Sequence, residues 1–386
     1  MSTYLLEIGT EELPADLAKS VISQFELRVK KDLNSSLVKF NEIKVTSTPR
    51  RISLLIEGIT PHTEDKIEER KGPPVSQAFL DGNPTKAAIG FANKYNLTTD
   101  QLEIRDTPKG AFVFLKLIEE GKPVSSFLTE YLPGWISKIQ GSRFMRWGEG
   151  DFRFSRPIRW IVSLLDSEIV PFKISGCNPQ FEIGNISSPH RLYGAKIQIN
   201  NANTYINQLM DLGVMVDRQT RFSYIKNLVV NQEINNSFRP DLSDKLLDEI
   251  TDLVESPSLI NGSFDEAFLD LPPEVLSTVM KVHQRYIPIY KENTEFDPLL
   301  LHSKETLFPS FLCISNGLSS AKDNIILGNE KVLKARFSDA SFFVKSDLLI
   351  KSSTRIDSLK NVTFSDGLGS LYDRVNRIKW LTKLLT

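Results

Sequence analysis

Cysteine is nearly missing from this 386-residue chain: only Cys177 and Cys313 occur, far apart and in unrelated contexts. Such a pair makes neither a disulfide framework nor a zinc site, and it suits a reducing cytoplasm. Histidine is almost as scarce. His62, His190, His283 and His302 are scattered and none is followed by aspartate, so no metal phosphohydrolase built on a His-Asp pair is visible. There is no Walker A motif and no Gly-rich dinucleotide fingerprint. Apolar runs long enough to span a bilayer are absent, and the amino terminus, with Glu7, Glu11, Glu12 and Asp16, lacks the basic start and apolar run of a signal peptide. Net charge is lacking too: 47 basic against 48 acidic residues leave −1, so any basic surface must be local. These absences point to a globular cytoplasmic chain with no membrane association, no resident metal and no self-contained active site. Its length and its 40% hydrophobic content suffice for the cores of two or three domains.

One stretch stands out from this background. Arg143 to Trp160, RFMRWGEGDFRFSRPIRW, carries Arg143, Arg146, Arg153, Arg156 and Arg159 together with Phe144, Trp147, Phe152, Phe154 and Trp160, against two acids and no lysine. A guanidinium is planar, stays charged, bonds a phosphate through two donors and stacks on a base, which is what a surface needs to grip a folded nucleic acid. Arg and Trp in alternation also make cation-π pairs and salt bridges at a seam between domains. Spacing leaves both readings open, because positions 153, 156 and 159 recur every third residue and match neither a helix face nor a strand face.

The rest of the chain reads as short strands and helices in alternation. Tyr4 to Ile8 is a strand; Leu17, Val21, Phe25, Val29 and Leu33 then repeat near 3.6 and predict a helix from Ala15 to Leu33. Adjacent Glu11 and Glu12, at the turn between them, favour the helix dipole or serve as metal or acid groups. Glu42 to Thr46 and Ile52 to Ile56 are strands joined through Ser47-Thr48-Pro49-Arg50-Arg51, whose arginines either meet phosphate or decorate a solvated turn. Gly72-Pro73-Pro74 is a break, and a helix interrupted near Pro133-Gly134 spans Val124 to Ile139. His190, in the loop Ser188-Pro189-His190-Arg191, either bonds backbone or joins Arg191 in contacting RNA. Between Asn203 and Asp252 three helices are expected, with a short strand at Val214 to Val216. A helix opened by Pro272-Pro273-Glu274 places Val275, Val279 and Val282 on one side and crowds Lys281, His283 and Arg285 at its end, to complement the dipole or to reach RNA. Asn329 to Val344 has Leu333, Phe337, Ala340 and Val344 at helical spacing, with Lys331, Lys334 and Arg336 on the other face and Glu330 placed to pair with Lys334. A last apolar stripe, Leu371 to Leu385, looks for a partner and reads as the start of a further helical domain. The expected class is α+β and multi-domain, with mixed short sheets and helices and borders at residues 1–165, 166–320 and 321–386.

The blocks LLEIGTEELPA (Leu5 to Ala15), STPRR (Ser47 to Arg51), GNPTKAAIGFA (Gly82 to Ala92), MRW to RPIRW (Met145 to Trp160), LPPEVL with KVHQRY (Leu271 to Tyr286) and GNEKVLKARFSDASFF (Gly328 to Phe343) follow one another in an order that resembles the β-subunit family of the bacterial tetrameric glycyl-tRNA synthetase. In that α2β2 enzyme the α chain holds the class II site where glycine and ATP form the adenylate, while the β chain is required for charging and supplies most of the tRNA recognition. The resemblance thus implies no catalytic residue and no cofactor here, with ATP and Mg at the α subunit, and it implies the α subunit and glycine tRNA as partners. It makes Arg143, Arg146, Arg153, Arg156, Arg159, His190, Arg191, Lys281, Arg285, Lys334 and Arg336 the RNA-contact candidates. The family's β chains are longer and continue into a helical domain of the His-Asp phosphohydrolase fold and an anticodon-binding domain. Where the family commonly has Gly-His-Arg, this chain has Pro189-His190-Arg191, so the loop's geometry departs from the pattern. Two other readings stand beside this one: a scaffold that docks the α subunit through the same arginines and aromatics while absent domains hold the tRNA, and a hydrolase using His190 or His283.

Overall fold

The computed structural model describes residues 1–236, 238–291 and 303–385, so His302 lies outside it. Two compact units emerge, residues 1–223 with 251–256, and residues 224–250 with 257–386.

The first unit is organised on one strand. β1 (Ser2–Thr10) is buried at every position after its first, so its alternating side chains must satisfy two interiors. α1 (Ala15–Ser35) buries Leu17, Ala18, Val21, Phe25, Val29 and Leu33, the stripe its period predicts. β2 (Glu42–Thr48) and β3 (Arg51–Ile59) follow. Next comes β4 (Lys66–Pro74), which contains the expected break at Gly72 yet runs through it, held by an antiparallel partner rather than by its own charged sequence. With α2 (Val75–Ala78), the short strands β5 (Phe79–Leu80) and β6 (Asn83–Pro84), α3 (Lys86–Asn93), β7 (Leu102–Thr107) and β8 (Gly110–Glu119) it makes a separate layer: a β4-β8-β7 sheet closed by a small core of Ala78, Ala88 and Val113. α4 (Val124–Ser137) passes through Pro133 uninterrupted, because Leu132, Trp135 and Ile136 on either side of it are buried.

β9 (Met145–Arg146), β10 (Arg153–Phe154), β11 (Ile158–Leu165), β12 (Glu168–Ile169), β13 (Ile183–Gly184), β14 (Ile186–Ser187), β15 (Ile197–Gln198) and α5 (Tyr205–Met210) complete the unit. The main sheet has the order β12-β11-β1-β3-β2, with β13 added beside β11. One face, carrying Tyr4, Leu6, Ile8, Ile52, Leu54 and Ile56, packs on α1 and α4. The other carries Leu5, Leu55, Val162 and Leu164 against Tyr205 and Leu209 of α5 and against Val214 and Val216. Those two valines belong to an irregular segment, not the expected strand; its place is taken by a bond from the Met215 amide to the Glu255 carbonyl.

In the second unit, whose first border falls within α6 (Arg218–Asn236), the elements are β16 (Phe238–Pro240), α7 (Asp244–Thr251), β17 (Ser258–Ser263), α8 (Pro273–Thr278), β18 (Ile287–Lys291), α9 (Ser303–Thr306), β19 (Leu307–Ser315), α10 (Lys322–Leu349), β20 (Thr363–Ser365), β21 (Gly369–Ser370) and α11 (Leu371–Leu385). Its antiparallel sheet has the order β16-β18-β19-β17. The valine stripe expected after Pro273 holds in part: Val279 packs against the core, but residues 279–284 form a π turn, which rotates the face, so Leu276 and Met280 are buried and Val282 is exposed. α10 buries Leu333 and Phe337, with Ala340 and Val344 packed alongside. Glu330 does not serve Lys334; its carboxylate accepts from the amide and hydroxyl of Ser263. The class is α+β. Among the described residues no helix is long and apolar enough to cross a membrane.

Candidate nucleic-acid interface

The arginine and aromatic stretch folds as a hairpin whose two halves separate by chemistry. β9 pairs antiparallel with β10, setting Arg146 opposite Arg153 and Met145 opposite Phe154. Phe152 and Phe154 are buried in the main core, while Phe144 and Trp147 pack against it and the Trp147 indole donates to the Phe154 carbonyl at 2.9 Å. The aromatic half is therefore structural support, with Phe152 and Phe154 inside the core and Phe144 and Trp147 half-buried against it. Arg143, Arg146, Arg153 and Arg159 are exposed, and Arg156 is half-buried. Like charges directly across a ladder destabilise it, yet Arg146 and Arg153 stand opposed, eased only by an exposed Arg146–Asp151 pair at 3.3 Å.

Beside the hairpin lies an open cleft of about 600 Å³ lined by Glu11, Glu12, Leu13, Pro14, Pro49, Arg50, Arg156, Arg191 and Leu253. Five chain segments meet there, two of them marked by Arg156 and Leu253. The turn between β1 and α1 supplies the glutamates, the Pro49-Arg50 turn supplies one arginine, and the loop after β14 supplies Arg191. Glu11 and Glu12 precede α1 and do not act as first-turn acids; the first is bonded by Arg159 at 2.5 Å and the second by Arg191 at 2.6 Å. Arg156 donates to the carbonyls of Glu12 and Ser155, each at 3.0 Å. One guanidinium nitrogen of Arg50, Nη1, is shut away from solvent with no hydrogen-bond partner among the described residues.

Underneath the cleft the second face of the sheet turns polar. Glu7 on β1 and Arg51 at the start of β3 point the same way, and Arg51 is wholly buried. Arg51 donates to Glu7 Oε1 at 2.9 Å, to Glu255 Oε1 at 3.0 Å and to the Ser188 carbonyl at 2.9 Å. Ser187 donates to the same Glu7 Oε1 at 2.9 Å, and Thr48 to the same Glu255 Oε1 at 2.6 Å. Burial alone would depress the Arg51 pKa, but Glu255 and Glu7 outweigh it and hold it above the ordinary arginine value. Burial pushes Glu7 up, only partly offset by Arg51 and Ser187. For Glu255 burial is overcome by Arg51 and Thr48, and its carboxyl sits below the usual range. Trp160 closes the arrangement by lying flat over Gly9, where an added Cβ would fall 1.8 Å from the indole. The Arg50 and Arg51 guanidinium carbons lie 5.6 and 5.7 Å from that ring's centroid.

A family model described as the glycyl-tRNA synthetase beta subunit matches residues 4–386. The chain belongs to that family. It is 40% identical over 384 residues to the glycine–tRNA ligase beta subunit of Trichodesmium erythraeum, covering 99% of this chain and 53% of the relative. It is 36% identical over 382 residues to that of Bacillus subtilis, covering 99% of this chain and 54% of the relative. The chain thus spans about half the length of the curated relatives it matches.

Among the arginines singled out from the sequence, Arg156 and Arg191 line the cleft, and Arg159 borders it through Glu11. Of the two readings of His190, the structure has the backbone-bonded one: the residue is 1% exposed, its ring packs against Tyr193 and accepts from the Leu192 amide, and no surface contact is open to it. In the second unit Lys281 is tied to Asp241 at 2.5 Å and Arg285 to Glu249 at 3.3 Å, whereas Lys334 and Arg336 are exposed on α10. Of the two turn arginines expected to meet phosphate or solvent, Arg50 lines the cleft, whereas Arg51 is wholly buried and does neither; sequence reasoning missed the buried trio Glu7, Arg51 and Glu255. An acid inside an otherwise apolar strand was the one available signal, since a carboxylate at Glu7 has to find a partner.

Proposed function

We propose that this chain acts in attaching glycine to its tRNA, as the part of a β subunit that grips the tRNA and meets an α subunit, where glycine, ATP and Mg would react. The observation that carries the RNA part is the set of arginines at one cleft, Arg50, Arg156 and Arg191 on its wall and Arg159 beside it through Glu11, together with Arg143, Arg146 and Arg153 exposed on the β9–β10 hairpin. Their aromatic neighbours are consumed by the core, so contact through the RNA backbone is favoured over base stacking; guanidinium–phosphate bonds position the acceptor arm without reading its sequence. No catalytic role falls to this chain in this reading. Titration of glycine tRNA against the full-length subunit tests it: Arg156→Ala and Arg191→Ala should weaken binding and flatten its salt dependence without lowering the melting temperature.

A protein-docking reading has its own support. Phe342 and Phe343 are 66% and 64% exposed on α10, and Trp380 on α11 is 62% exposed, large apolar groups of the kind that anchor protein interfaces. Phe342→Ser with Phe343→Ser should then loosen the α–β assembly, read by sedimentation, and leave tRNA affinity of the assembled remainder unchanged.

A further inference from the structure

The cleft that would hold phosphate is lined by carboxylates as well as arginines. Glu11 bonds Arg159, and Glu12 bonds Arg191 while its carbonyl holds Arg156. A phosphate arriving at Arg191 must therefore displace a carboxylate and then sit beside it. Nothing in the local fold requires acids there. They lie outside α1, and both ion pairs are well exposed, with side chains 43% to 59% open to solvent, where such pairs add little stability.

Nor are they carried on loose backbone. The Glu11 amide donates to the Pro157 carbonyl at 3.1 Å, the Leu13 amide to Pro49 at 2.6 Å and the Thr10 amide to Arg50 at 2.8 Å. The turn is stitched on one side to the segment that bears Arg156 and Arg159 and on the other to the turn that bears Arg50. The backbone of the two glutamates is consequently set in place relative to three of the arginines, so their carboxylates stay beside the cleft even when displaced from a guanidinium.

We propose that Glu11 and Glu12 are specificity-determining counter-ions: they occupy the arginines of the cleft until a backbone of the right path displaces them, and they repel phosphates that arrive off that path. The proposal rests on the reading of the cleft as an RNA-backbone site. An arginine surface without such acids attracts any polyanion. With them, only an RNA that reaches several arginines together recovers the broken ion pairs, so generic binding is suppressed more than cognate binding. Glu11 and Glu12 touch no reacting atoms in this account.

The test uses the full-length subunit assembled with its α partner, titrated with glycine tRNA and one non-cognate tRNA at low and moderate salt. Glu11→Gln, Glu12→Gln and the double variant keep the side-chain volume and leave the arginines in place. Each single change is expected to tighten non-cognate binding about two- to fivefold, the size of one exposed ion pair, with a smaller gain for glycine tRNA. The difference should shrink as salt rises. Arg156→Ala and Arg191→Ala are run in parallel. If they weaken binding but the glutamine variants leave both affinities unchanged, the counter-ion role is wrong and the cleft remains an RNA site. If the arginine variants also change nothing, the cleft reading itself falls and the proposal with it. Weaker binding by the glutamine variants would likewise overturn it, marking the acids as supports for the arginines.

Discussion

Arg50 and Arg51 are neighbours in the chain and live in opposite circumstances. Arg50 sits in the turn before β3 and reaches the cleft; Arg51, the first residue of the strand, is directed into the sheet's second face and is sealed between Glu7 and Glu255. Arg221 repeats the inward case: it is buried and donates to the carbonyls of Thr251, Met215, Val216 and Ser47, with burial pushing its pKa down to about 10. Arg143, Arg153 and Arg191 repeat the outward one. The lesson is that backbone register, rather than the local density of arginine, decides which guanidinium holds the fold and which is available to a ligand. A buried arginine cannot lose a partner without leaving a charge stranded, whereas an exposed one exchanges carboxylate for phosphate at little cost.

The comparison breaks most visibly at Arg51. Arg51→Met strands two carboxylates in the interior and frees the Ser188 carbonyl, and is expected to cost about 3–5 kcal/mol in denaturant unfolding. Its two partners should then differ from each other. Glu255 has a lowered pKa, so its charge stabilises the fold above the carboxyl range and that contribution is lost as pH falls through its folded value. Glu255→Gln is expected to cost about 1.5–3 kcal/mol at neutral pH, with a deficit that shrinks on acidification. Glu7 has a raised pKa, and the sign reverses: its contribution is present below the ordinary carboxyl range and is lost as pH rises through its folded value. Glu7→Gln should therefore stay within about 1 kcal/mol of wild type at neutral pH and gain on it as pH rises; equal pH profiles for the two variants would contradict the asymmetry. Gly9→Ala drives a methyl into the Trp160 indole and should cost about 1–3 kcal/mol, measured by thermal unfolding. The outward arginines come last: Arg156→Ala and Arg191→Ala should each move stability by less than about 0.5 kcal/mol.

Much of the first unit was legible beforehand because it obeys one period at a time. The stripe Leu17 to Leu33 was readable residue by residue: α1 buries Leu17, Val21, Phe25, Val29 and Leu33, with Ala18 beside them. What escaped was non-local. β4 is a strand only because β8 lies beside it, and KIEERKGPP carries no alternation of its own. The trio of Glu7, Arg51 and Glu255 joins segments more than two hundred positions apart, so each member looked unremarkable where it stood: one acid in an apolar strand, one arginine in a turn, one acid after a helix. For the site, the arginines were found by composition, but their alternation with aromatics did not show that Phe152 and Phe154 fill the core. The π turn at residues 279–284 misled the valine stripe because one inserted residue rotates every side chain beyond it.

The central claim is that the outward arginines bind and the inward ones hold. The most direct measurement compares Arg156→Ala with Arg191→Ala, combined in one full-length subunit assembled with its α partner, against wild type in a salt series with glycine tRNA, with melting temperature recorded on the same samples. The account predicts an unchanged melting temperature and a slope of log affinity against log salt that is shallower by about 1.4–1.8, two phosphate contacts' worth. An unchanged slope together with a lowered melting temperature would contradict it, and would move these arginines into the same class as Arg51.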